Sequence, residues 1–171
     1  TTSPSMDILI SSNLERLLYH VSGSSEKVAA WMQQLAETGV YTVDADTLAK
    51  IQESFSAGCA DDAASFTEIK ARFAEDNYLC DTHTAVAFRV AKDLGTETPM
   101  AVLSTASPFK FPRDVLTALG EDAPASDFAA MAALTAATDA PAPESLRVLD
   151  TLPVRFTAAI DPADIRAAAL R

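Results

Sequence analysis

Ala101-Val102-Leu103-Ser104-Thr105-Ala106-Ser107-Pro108 is a short apolar run that breaks into three small hydroxyl residues and a proline. With Pro99 and Met100 in front of it, the apolar part reads as a short strand, Pro99 to Leu103. Where a strand ends in an open α/β sheet, the surrounding loops leave a crevice in which ligands bind. A hydroxyl at that point can donate to, or accept from, a ring nitrogen without bringing charge. The same hydroxyls could instead cap the helix that follows. The pattern leaves both uses open.

Downstream of this stretch the chain is helical. Pro112 to Leu119 carries proline in its first turn and Gly120 at its end, the expected asymmetry of a helix. Phe128 to Thr138 is Ala-rich and reads as a buried helix, and Pro143 to Leu149 as a shorter one. The Pro/Ala/Asp-rich segments Glu121 to Ser126 and Thr138 to Pro143 are connections. Arg155 to Ile160 has strand character, and Asp161-Pro162 opens a last helix.

Upstream, Asp81 precedes Thr82-His83-Thr84 and a long apolar helix that runs through Val86, Phe88 and Val90 to Leu94, with Gly95 after it. Asp61-Asp62 place negative charge at the start of the preceding helix, whose stripe is Phe66, Ile69 and Phe73. Asp44 caps a helix through about Ser54. Glu26 to Thr38 buries Val28, Trp31, Met32 and Leu35, and Gly39 ends it. In Ser12 to Ser22, Ser12 and Glu15 read as a capping box, and Leu14, Leu17, Leu18 and Val21 form one stripe ended by Gly23. Tyr41 to Val43 and Phe55 to Cys59 have strand propensity. Short strands between longer helices predict an α/β fold, helix-dominated, with too few strands for a complete doubly wound sheet.

The 171 residues suit one domain or a compact piece of a larger one. A net charge of −11 argues against a phosphate-gripping nucleic-acid binder and against a basic membrane-surface helix. There is no long apolar run of transmembrane length. Cys59 and Cys80 form no C-x-x-C pair, which favours a reducing compartment, here read as the cytoplasm. The opening Thr1-Thr2-Ser3 has neither Met nor a secretory pattern, so the expectation is a start inside a longer polypeptide.

Chemistry-bearing residues are few. His20, near the end of its helix, reads as a residue complementing the dipole. His83 lies at a helix start beside Asp81, where it can bond a neighbour or a ligand. No Cys/His spacing supports zinc, and neither a dinucleotide fingerprint, a Walker loop nor a nucleophile elbow is present.

Three blocks carry a family resemblance. Ser3-Pro4-Ser5-Met6-Asp7-Ile8, with Ser11-Ser12-Asn13-Leu14-Glu15-Arg16-Leu17, resembles the threonine synthase pattern S-P-S-M-D-I…S-S-N-x-E-R-L. Asp81-Thr82-His83-Thr84-Ala85-Val86 resembles D-P-H-T-A-V, with Thr82 where proline is usual. Leu103 to Phe111 resembles L-S-T-A-[SH]-P-x-K-F. The blocks keep the family's order and spacing, and they cover Thr1 to about Leu119.

The resemblance implies an incomplete piece of a tryptophan-synthase-β-like fold that uses pyridoxal 5'-phosphate. The family's reaction converts O-phospho-L-homoserine and water into L-threonine and phosphate. It implies that the Schiff-base lysine and the glycine-rich phosphate loop lie upstream, so that this chain holds no catalytic residue and is inactive alone. Of its lysines (Lys27, Lys50, Lys70, Lys92 and Lys110), Lys110 follows Phe109 as the Schiff-base lysine follows Phe in the family. It lies in the later block, however, and is not that lysine. Thr105, with Ser104 beside it, is implied as the hydroxyl that meets the cofactor's pyridine nitrogen. Asn13, Arg16 and His83 are the candidates for substrate phosphate or carboxylate, and no metal is implied. Residues 1–119 would belong to the catalytic domain and 120–171 to a helical extension packed on it. Partners would be O-phosphohomoserine and the missing N-terminal part. The rival readings are a non-catalytic acidic helical binding module and another lyase of the same cofactor fold, such as a dehydratase.

Overall fold

The structure, a computed structural model, describes every residue except 9, 156 and 171. Among the described residues it contains nine α-helices, three single 3-10 turns and no strand.

Acceptors placed just ahead of apolar stripes start most of the helices. Asp44 opens α3 (Ala45–Gln52) by accepting from the Thr47 amide, and Asp61 opens α4 (Asp62–Asp76) by accepting from Ala64. Ser24 does the same for α2 (Ser25–Thr38), whose first residue is one ahead of the expected Glu26. In α1 (Ser12–Ser22) the cap is Ser11, whose hydroxyl accepts from the Leu14 amide at 3.3 Å. The expected Ser12–Glu15 capping box is therefore not formed. Two adjacent serines compete for the cap, and Ser11 is the one with extended backbone. At the other end, Gly39 takes φ 78° to turn the chain out of α2. Asn77 and Asp139 adopt the same left-handed geometry at the ends of α4 and of the helix Asp127–Thr138 without being glycine.

The core lies among α4, α5 (Thr82–Leu94), α6 (Pro112–Leu119) and α7 (Asp127–Thr138). Ile69, Ala85, Val115, Leu116, Ala130 and Leu134 meet there, each with almost no exposed surface. Full burial of each large aliphatic side chain contributes about 1.5–3 kcal/mol. Glu68 is also buried; its carboxylate pairs at 3.0 Å with Arg72 one turn on, and Arg72 reaches Glu75 and Asp76 as well. Helices α1, α2 and α3 pack separately around Leu18, Trp31 and Thr47, one buried residue from each. After α7 come α8 (Glu144–Arg147) and α9 (Ile165–Ala169), with many large apolar side chains exposed beyond Leu149.

Among the described residues the expected strands are not formed. Tyr41 to Val43, Phe55 to Cys59 and Pro99 to Leu103 run outside any helix or ladder. In Arg155 to Ile160 the described residues do likewise, and Phe156 lies outside the described residues. A strand needs a neighbour for its backbone N–H and C=O groups, and propensity alone does not supply one. Met100 and Leu103 consequently stand 48% and 76% exposed.

Candidate functional site

The three sequence blocks converge on one buried corner at the start of α5. Asp81 caps that helix, its Oδ1 accepting from the His83 and Thr84 amides at 2.9 and 3.4 Å. The Thr84 hydroxyl donates to its other oxygen. Asp81, Thr82, His83 and Thr84 are all buried, His83 at 4% exposure. The first block docks here across some eighty residues of sequence. The Ser5 amide donates to His83 Nε2 at 3.2 Å, and the Thr82 hydroxyl donates to the Thr2 carbonyl at 2.9 Å. Thr2 also gives its amide and hydroxyl to Asp62 Oδ1 at 2.8 and 3.0 Å. Those two bonds hold the Asp62 carboxyl below the usual carboxylate range. The third block arrives through Phe111, whose ring centroid lies 4.8 Å from that of His83.

Both ring nitrogens of His83 are thus committed inside the chain. Nε2 accepts from Ser5, so the ring proton is assigned to Nδ1, which faces Asp81 Oδ1 at 3.2 Å. The adjoining Cys80 is buried, and that burial, with the Asp81 charge as the lesser cause, pushes its thiol up to about 12. A thiol so raised is no nucleophile near neutral pH.

The hydroxyls at 104–107 divide between their two possible uses. Ser107 is the cap: its Oγ accepts from the Phe109 amide at 3.3 Å and opens the 3-10 turn Pro108–Lys110. Ser104 and Thr105 are exposed, and neither side chain makes a hydrogen bond within the described residues. Lys110 is exposed as well, its Nζ 5.9 Å from the Phe111 ring centroid.

Asn13 and Arg16 stand together in the first turns of α1, both exposed. Arg16 Nη2 donates to Asn13 Oδ1 at 2.6 Å, and Arg16 Nε to the Ser12 carbonyl at 3.3 Å. The pair leaves Nη1 available to an anion, in a position where helix N–H groups also point outward. His20, exposed in the last turn of α1, packs edge-on to Tyr19 at 5.5 Å. A polar cleft of about 350 Å³ lies beside Phe111, where Lys110 and Arg113 face Asp114 and Asp127. Burial holds the Asp114 carboxyl above the usual range. Cations and acids balance there, which does not favour an anionic ligand.

The described glycines offer no cradle for a phosphate: four end helices, and a side chain on Gly58 would press against Val90 at 2.8 Å. No group of three or more His, Cys, Asp or Glu among the described residues could hold a metal ion, and no described helix is long and apolar enough to cross a membrane. Sequence reasoning missed Thr2, Ser5 and Phe111 as the partners of the α5 corner. It also missed the buried Glu68–Arg72 pair, which the i,i+4 spacing of opposite charges would have signalled.

Residues 84–168 match the family model described as "Threonine synthase, C-terminal". The threonine synthase of Pseudomonas aeruginosa is 34% identical over 126 residues, a match that covers 72% of this chain and 27% of that protein. That of Methylobacillus glycogenes is 33% identical over 162 residues, covering 91% of this chain and 30% of the relative. The crystal structure of a PLP-bound threonine synthase from Brucella melitensis superposes with a TM-score of 0.67 at 39% identity, over 77% of this chain and 29% of that one. The chain therefore spans less than a third of the length of these relatives. The chain belongs to the threonine synthase family and matches its C-terminal part.

Proposed function

We propose that this chain is the C-terminal portion of a threonine synthase, a PLP-dependent carbon–oxygen lyase that converts O-phospho-L-homoserine and water into L-threonine and phosphate. The observation that carries the reading is the meeting of three family-like blocks at His83: the Ser5 amide on Nε2, the Asp81 cap at Nδ1 and the Phe111 ring alongside. In this reading residues 1–119 belong to the catalytic domain and 120–171 form a helical extension on it. Pro99 to Leu103 becomes a strand when the rest of the enzyme supplies its neighbour. The free thiols Cys59 and Cys80 accord with a cytoplasmic setting.

The loop after Leu103 fits one part of the cofactor. Ser104 and Thr105 are uncharged, exposed and uncommitted, as a partner for a pyridine nitrogen must be before it is bound. Thr105 would hold that nitrogen, with Ser104 beside it. When bound, pyridoxal phosphate supplies the electron sink for the reaction. A hydroxyl partner, unlike a carboxylate, leaves the ring nitrogen largely unprotonated and so moderates that sink. Asn13 and Arg16 would orient the substrate's phosphate or carboxylate, offering a local cation on a chain of net charge −11. His83, closed off within the fold, keeps the Ser3–Asp7 turn in place. The lysine that holds the cofactor and the loop for its phosphate come from the remainder of the enzyme.

Phosphate release tests this. The 171-residue chain, given pyridoxal phosphate and O-phosphohomoserine, is expected to release no more phosphate than a protein-free control. Spliced in place of the matching part of the Methylobacillus glycogenes enzyme, it is expected to support release, and Lys110→Ala in the chimera should not abolish it. Turnover by the chain alone that Lys110→Ala removes would overturn the reading. Deamination of threonine or serine by a chimera that releases no phosphate would favour the dehydratase.

A further inference from the structure

Thr82 occupies a position where proline would have neither an amide proton nor a hydroxyl. Its side chain has no exposed surface, and its Oγ1 lies 2.9 Å from the Thr2 carbonyl and 3.3 Å from His83 Nδ1. The carbonyl can only accept, so the hydroxyl proton goes to Thr2. Its lone pair is then left for Nδ1, which must carry the imidazole proton. That assignment agrees with the other side of the ring, where Nε2 can accept from the Ser5 amide only if it is unprotonated. The bonds close a circuit. Thr82 holds Thr2, Thr82 and Asp81 hold Nδ1–H, and Nε2 holds Ser5.

We propose that Thr82 is a positioning residue: its hydroxyl joins the Thr2 carbonyl to the Nδ1–H that Asp81 also accepts and, through that ring, locks the Ser3–Asp7 turn onto the start of α5. Such a chain of hydrogen bonds is mutually reinforcing in a dry corner, and removing one member leaves buried groups without partners. The consequence for catalysis rests on the threonine synthase reading, because the turn leads on to α1 with Asn13 and Arg16. The lock itself does not rest on it, and it can be measured on this chain alone.

The experiment is nitrogen NMR of the His83 imidazole, together with hydrogen exchange at the Ser5 amide, in the unmodified chain and in Thr82→Val and Thr82→Ser. The unmodified chain should show a protonated Nδ1 and an unprotonated Nε2. Thr82→Val keeps the shape and removes the hydroxyl. It should leave the tautomer to Asp81 and Ser5, shift the Nδ1 resonance as one of its two acceptors is lost, and speed Ser5 exchange by roughly tenfold, the loss of about one net hydrogen bond. Thr82→Ser keeps the hydroxyl and should restore both signals. A protonated Nε2 in the unmodified chain would overturn the proposal even if Thr82→Val failed to fold. So would a Thr82→Val variant with an unchanged Nδ1 resonance and unchanged exchange. A Thr82→Ser variant as perturbed as Thr82→Val would assign the effect to packing and refute the hydroxyl's role.

Discussion

The corner at Asp81–Thr84 and the loop at Ser104–Thr105 are both built from small polar residues, and both fall in blocks that resemble the same family. In the corner every polar side chain is buried and bonded inside the chain: Asp81 to two amides and a hydroxyl, Thr82 to Thr2, His83 to Ser5. In the loop the two hydroxyls are exposed and uncommitted. A group whose hydrogen bonds are satisfied within the fold has nothing left for a ligand, whereas an unsatisfied one at an exposed turn does. Under the proposed function, the difference separates residues that hold the corner together from residues left free to meet a ligand.

The largest effect expected from this contrast is in the corner. Asp81→Ala removes the α5 cap and strips partners from the His83 amide and the Thr84 hydroxyl. It should cost roughly 2–4 kcal/mol in urea unfolding of the chain. A loss as small as that of a surface substitution would mean the corner is not a structural unit.

A smaller effect follows from the dock of the first block on Asp62. The folded state holds this carboxyl below its ordinary value of 3.8, through the Thr2 amide first and the Thr2 hydroxyl second. A depressed carboxylate contributes stability that is fully present above its unfolded value and lost as pH falls through the folded one. The melting temperature should therefore drop between about pH 5 and about pH 3, and Asp62→Asn should flatten part of that drop. An identical pH profile for the variant would remove Asp62 from the account.

The smallest effect is in the loop. Ser104→Ala and Leu103→Ala should each change the stability of the chain by no more than about 0.5 kcal/mol, since neither side chain is buried or bonded. A larger loss for either would show that the loop is held by the fold after all.

These differences also explain what could be read from the sequence. Helix ends were legible at Asp44, Asp61, Asp81, Gly39 and Gly120, because capping is decided by one residue and its near neighbours. The choice between Ser11 and Ser12 was not, since either side chain can cap and the backbone path decides. Pro99 to Leu103 has the composition of a strand, but a ladder requires a second segment that local pattern does not reveal. Of the candidate site, the place of His83 at the start of α5 was legible. Its bond to Ser5 was not, because Ser5 lies 78 residues away. Ser104, Thr105 and Ser107 read alike in sequence, and only the three-dimensional turn singles out Ser107 as the cap.

The proposed meeting of the uncommitted loop with the cofactor ring is tested most directly by cofactor retention. In the chimeric enzyme, bound pyridoxal phosphate is followed by its absorbance after dialysis, for Thr105→Val and for Ser104→Ala. Thr105→Val should retain cofactor roughly tenfold more weakly, as one polar partner is lost from a partly dry site, while Ser104→Ala should stay close to the parent. Loss of cofactor with Ser104→Ala and none with Thr105→Val would contradict the assignment of Thr105, and full retention by both would contradict the claim itself.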